Sequence, residues 1–147
     1  MSLENLLKTG QIKGQAPNKQ QVAKLLAAAA RNLRDAHVKA NSPETRFDVA
    51  YKAMMQSALT AMQACGYQPD AKRPGHHATV IQSLPLTLGI DKERILVLDK
   101  LRMKRNASDY TGDDLDEVSV KACITEAQKL LAGVKVWLKM THPDLVD

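Results

Sequence analysis

Apolar positions recur at helical spacing in successive stretches of the chain, separated by polar and turn-forming residues. From Asn18 to Ala40, Val22, Leu25, Leu26, Ala29, Leu33 and Ala36 trace one helix face, and Asn18 stands where a cap is needed. "NSPETRF" predicts the next start: Ser42 caps, Pro43 takes the first turn and Glu44 meets the positive end of the dipole. Phe47, Ala50, Tyr51, Met54, Ala58, Ala61 and Met62 mark the buried face of that helix, which ends at Gly66. A shorter helix is expected from about His76 to Leu84, with Val80, Ile81 and Leu84 inward, before Pro85 and Gly89 interrupt the chain. Asp91 then caps a helix running through Ile95, Leu98 and Leu101 to about Ala107. The last helix begins between Asp114 and Ser119 and reaches about Met140, on a stripe of Val120, Cys123, Ala127, Leu130, Val134, Trp137 and Leu138.

Between these stretches, "GQIKGQAP" and "YQPDAKRPG" read as loops and "YTGDD" as a turn. Residues 1–17 read as an N-terminal extension, with a short helix over 3–8. The expectation is one all-α domain over residues 1–147, an up-and-down four-helix bundle with one additional short helix. Composition agrees, because alanine, leucine, lysine and glutamine favour helix and β-branched residues are few. No apolar run approaches the roughly 20 residues that span a bilayer, and "MSLENLLKTG" lacks the pattern of a signal peptide. Cys65 and Cys123 are expected to be reduced and packed. A cytoplasmic protein without a membrane partner is the corresponding expectation.

The net charge of +5 is unevenly distributed. Residues 1–41 carry seven basic and two acidic side chains, whereas residues 111–147 carry four basic and seven acidic ones. Moderate basicity permits an anionic partner without requiring one.

The distinctive stretch is "LRMKRNASDYTG", Leu101 to Gly112, which follows directly on an apolar run. At 100° per residue, Arg102, Arg105, Asn106 and Asp109 fall on the side defined by Ile95 and Leu98, and Lys104 points away. A core face thus ends in two guanidiniums, an amide and a carboxylate. One account is structural: Asp109 pairs with Arg105, and Asn106 bonds backbone groups at the bundle end. The other is functional. Two arginines face one carboxylate, so a phosphate completes the balance, and guanidinium forks match phosphate geometry.

"LRMKRNASDY" resembles the signature of the HEPN superfamily, small helical bundles of prokaryotic toxin–antitoxin and RNA-cleaving systems. "AARNLRDA", "RFDVAYKAMMQSALTAMQACGYQP" and "GHHATVIQSL" are similar to the family's helices in the same order, over roughly Asn18 to Leu138. The resemblance implies a helical bundle that binds RNA or another phosphate-bearing ligand, with metal-independent ribonuclease chemistry and no cofactor. It also implies a homodimer with the motif helices facing each other, and a nucleotidyltransferase-type partner. Arg105 and Asn106 match the family's Arg-Asn pair. Tyr110 stands five positions after Arg105, where the family keeps a histidine. With an ordinary pKa near 10, tyrosine is a poor proton shuttle at neutral pH. Arg105, Asn106 and Tyr110 are therefore the catalytic candidates, and Arg102, Arg105, Asn106, Asp109, His76 and His77 the ligand-binding ones. The competing class is a non-enzymatic interaction module in which the charged cluster is a dimer-interface network.

His76 and His77 belong to the first turn of a helix, where the macrodipole disfavours imidazolium. A neutral ring there can act as base or hydrogen-bond partner in place of the missing motif histidine; alternatively, one of the pair caps the helix and packs. Phe47 and Tyr51, at helical spacing, read as core rather than as a stacking platform. His37 and His142 are distant in sequence, and no His/Cys spacing fits a zinc site, so no metal is expected.

Overall fold

The computed structural model describes residues 1–147. In chain order the elements are α1 (Leu3–Lys8), β1 (Ile12–Gly14), α2 (Lys19–Ala36), α3 (Pro43–Ala64), β2 (Tyr67–Pro69), α4 (His76–Gln82), α5 (Leu84–Thr87), α6 (Lys92–Thr111) and α7 (Glu117–Thr141). A 3-10 turn, Pro143–Leu145, follows α7. The architecture is an all-α helical bundle in which α2, α3, α6 and α7 are the long members.

Each long helix starts on a side-chain cap. Asn18 accepts from the Gln21 amide at 2.9 Å, Ser42 from Thr45 at 3.1 Å, Asp91 from Arg94 at 2.8 Å and Asp116 from Ser119 at 3.2 Å. Such a cap contributes about 1 kcal/mol by satisfying a donor that the helix itself leaves free. The centre of the bundle is α3, which packs along α2 and along α7. Buried Ala50, Ala53, Ala58 and Ala61 allow close approach of those neighbours. The buried hydroxyls of Ser57 and Thr60 donate to the carbonyls of Ala53 and Gln56, both at 2.8 Å, so neither is left unsatisfied.

The structure corrects the reading of two loops. Residues 12–14 and 67–69 pair as an antiparallel ribbon with Ile12 opposite Pro69, Lys13 opposite Gln68 and Gly14 opposite Tyr67. Backbone bonds from Gln15 to Gly66 (2.8 Å) and from Asp70 to Gln11 (3.0 Å) flank it. Three-residue strands are too short to show a period-2 pattern; what fixes them is Ile12, only 1% exposed and part of the main core with Leu6 of α1. Residues 1–17 are thereby stitched to the bundle.

Helix limits also shift. α2 ends at Ala36 rather than Ala40, and past its end the Val38 amide and the Asn41 side chain both donate to the Asp35 carbonyl at 3.2 Å. The interruption falls at Ser83, after which Leu84 begins the short α5 and Pro85 sits in its first turn, which its fixed φ suits. α6 runs on to Thr111, stopping at Gly112, whose φ of +70° takes the left-handed conformation that terminates a helix. That extension carries Arg102 to Asp109 on one continuous helix. No helix is long and apolar enough to cross a membrane.

Candidate anion-binding site

Three elements meet around the second half of α6. α6 supplies Asp99, Arg102 and Arg105; α3 supplies Asp48, Tyr51 and Lys52; α4 supplies His76 and His77 in its first turn. Asp48 and Tyr51 are three residues apart on α3, so they share a face.

Both arginines are held by one edge. Arg102 donates from Nε to Asp99 Oδ1 at 2.8 Å, and Arg105 donates from Nε to Asp48 Oδ1 at 3.0 Å. Neither arginine makes a hydrogen bond through an Nη group, and neither has an Nη buried without a partner, so those donors reach the surface. The Arg105 guanidinium also lies 4.9 Å from the centroid of the Tyr51 ring, a cation–π contact. Lys52 Nζ approaches Asp48 Oδ2 at 3.6 Å. Three cations, Arg102, Arg105 and Lys52, thus share two carboxylates, and positive charge is left over.

Tyr51 is 1% exposed, and its hydroxyl lies 3.3 Å from His77 Nδ1. Burial pushes the phenol up to about 12, against the opposing pull of Arg105 and Arg102, so it keeps its proton. Burial, reinforced by His76, Arg105 and Arg102, holds His77 below the ordinary histidine value. The ring is therefore neutral at pH 7. When Nδ1 accepts from the phenol, the ring proton resides on Nε2, a further donor. His76 meets His77 edge-on, with ring centroids 4.6 Å apart. Neither histidine caps α4: the cap position is Gly75, with φ +77° and no side chain to offer.

Not every residue expected at this site belongs to it. Arg105 pairs with Asp48, fifty-seven positions away, so the expected Asp109–Arg105 pair is absent. Asp109 is exposed and lines, with Glu44 and Ser108, a cleft of about 350 Å³ on the other side of the Arg105–Asp48 pair, which it shares with the site. Hydrogen bonds from its own amide and that of Leu115 hold the Glu44 carboxyl below its usual range, so this cleft is acidic. Asn106 is exposed and its side chain makes no hydrogen bond, contrary to the backbone bonding expected of it. Tyr110 is 91% exposed, so it does not fill the motif-histidine role from within the cluster. The structure brings Arg102, Arg105, His76 and His77 together and leaves Asn106, Asp109 and Tyr110 on the rim or beyond.

Asp48, Tyr51, Lys52 and Asp99 were not among the expected site residues. Tyr51 is core by burial, yet a buried phenol needs a hydrogen-bond partner, and that requirement was the available signal. No group of three or more His, Cys, Asp or Glu side chains converges to hold a metal ion. The chain matches no family model, no curated protein and no solved structure.

Proposed function

We propose that this chain is a HEPN-like cytoplasmic protein that binds RNA, through its phosphates, on the surface formed by Arg102, Arg105 and His77, with Asn106 at its rim. The observation that carries the reading is the one-edged fixation of both guanidiniums. Asp99 and Asp48 orient them through Nε, and the Nη edges remain for phosphate oxygens, which guanidiniums bind bidentately. The neutral His77 adds a donor without adding charge. The resemblance of Leu101–Gly112 to the HEPN signature supports the same reading. α6 also exposes Leu96, Met103 and Tyr110 along one apolar edge, which supports pairing with a second copy of the chain. A nucleotidyltransferase-type protein is the alternative occupant.

Fluorescence anisotropy with a short single-stranded RNA tests this reading. Arg102→Ala and Arg105→Ala should each weaken binding by roughly tenfold or more, the order expected for a lost charge-assisted contact. Asp109→Asn should leave binding intact. Affinity indifferent to both arginine substitutions would reduce the two ion pairs to a structural network of an interaction module.

A second reading, metal-independent ribonuclease activity, draws on the Tyr51–His77 contact. In the other tautomer, Nδ1–H donates to the phenol oxygen and Nε2 is free to take a proton from a ribose 2′-hydroxyl beside the held phosphate. Cleavage in EDTA that is lost in His77→Ala supports it; cleavage that survives removes His77 from the chemistry.

A further inference from the structure

The far end of α3 carries a second cleft of different chemistry. It measures about 300 Å³ and is lined by α2, α3 and the ribbon, including Gln15, Gln21, Gln63, Gln68, Tyr67 and Leu59. No charged residue lines it. Gln63 is twelve residues along α3 from Tyr51, about 18 Å at the helical rise, so this cleft stands apart from the arginine site and does not rest on the RNA reading.

One side chain in it is anomalous. Gln63 is 4% exposed, yet its Nε2 is buried with no hydrogen-bond partner. A buried amide donor left unpaired is destabilising, and the great majority of such groups in folded proteins are satisfied. An apolar residue of similar length would fill the same space without that cost. The orphaned amide, set among three further glutamines, is thus a feature that packing does not account for.

The lining restricts what can satisfy it. A primary amide presents a donor and an acceptor side by side on one planar edge, which pairs with the matching edge of a nucleobase; glutamine pairs in this way with adenine N6 and N7. The half-buried Tyr67 ring offers a stacking surface and Leu59 an apolar wall. The absence of charged groups argues against a phosphate or carboxylate entering the cleft, and the volume is of the size of a small-molecule site. We propose that this cleft binds an uncharged nucleobase, adenine in preference, with Gln63 reading its hydrogen-bonding edge.

The test is a titration of the ¹⁵N-labelled full chain with adenosine, which carries no phosphate, alongside uridine and ribose. Adenosine should give saturable shifts at the Gln63 side-chain amide and at the Tyr67 and Gln68 backbone amides, with uridine weaker and ribose without effect. Gln63→Met should weaken adenosine binding at least tenfold while its thermal midpoint stays level or rises, because the unsatisfied donor is gone. Arg105→Ala should bind adenosine as the wild type does, which separates this site from the RNA surface. Should Gln63→Met fail to fold, Gln21→Ala, at an exposed position, provides the same readout. Shifts equal for adenosine and ribose, no saturable shifts, or shifts that persist in the folded Gln63 variant would each overturn the proposal.

Discussion

α3 and α6 are of similar length but differ in what their residues are for. α3 buries thirteen of its 22 residues, from Phe47 to Ala64. α6 buries three of 20, Ile95, Leu98 and Leu101, and none in its last ten. Packing therefore explains most of α3 residue by residue, whereas it explains only the first half of α6. The second half of α6 is not held by core burial, yet it carries two guanidiniums oriented by Asp99 and Asp48. Tyr51 is a fully buried α3 residue that nonetheless contacts Arg105 of α6 and His77 of α4.

That contrast can be broken by substitution. Met54→Ala, in the middle of α3 and 1% exposed, should cost the fold about 2–5 kcal/mol, read from chemical denaturation, because it leaves a cavity among residues that cannot fully relax. Arg105→Ala should cost no more than roughly 1 kcal/mol, since its ion pair with Asp48 is partly solvated. Equal losses from the two would mean that α6 is held by its charges and not presented by the fold.

pH sharpens the comparison further. His77 has a folded pKa below its unfolded value near 6.5, so the unfolded chain binds the proton more readily. The stability linked to this group is present above pH 6.5 and is lost as pH falls through the lower folded value. Denaturation midpoints measured between pH 7.5 and pH 5.5, as roughly the histidine range, should therefore drop in the wild type and drop less in His77→Gln. Parallel curves would mean that burial and the neighbouring arginines do not hold His77 below its ordinary value. The smallest effect is expected at the tip of α6: Tyr110→Phe, at a ring almost wholly in solvent, should change neither stability nor RNA affinity. A clear loss of affinity there would move the site outward, past Arg105.

Local rules reached the helices because their signals are local. Asn18, Ser42 and Asp91 are caps in the structure as in the sequence, and the 3.6-residue stripe of α3 is the stripe that is buried. The ribbon was not legible, since three-residue strands depend on Ile12 reaching the core. The site was legible in part. Arg102, Arg105, His76 and His77 were singled out by type and spacing, but a helical wheel cannot say how far the core extends. Asp109 lies on the inward side of the wheel and still faces solvent, because α6 overruns the core after Leu101. Asp48, the partner that orients Arg105, is separated from it in sequence by α4 and α5 and carried no local sign of that role.

Salt dependence tests most directly the proposal that Arg102 and Arg105 meet phosphates. RNA affinity measured across a series of salt concentrations should fall steeply for the wild type. Each arginine-to-alanine substitution should flatten the logarithmic slope by roughly one phosphate contact, about 0.7 for single-stranded RNA. Slopes identical in wild type, Arg102→Ala and Arg105→Ala would contradict the claim.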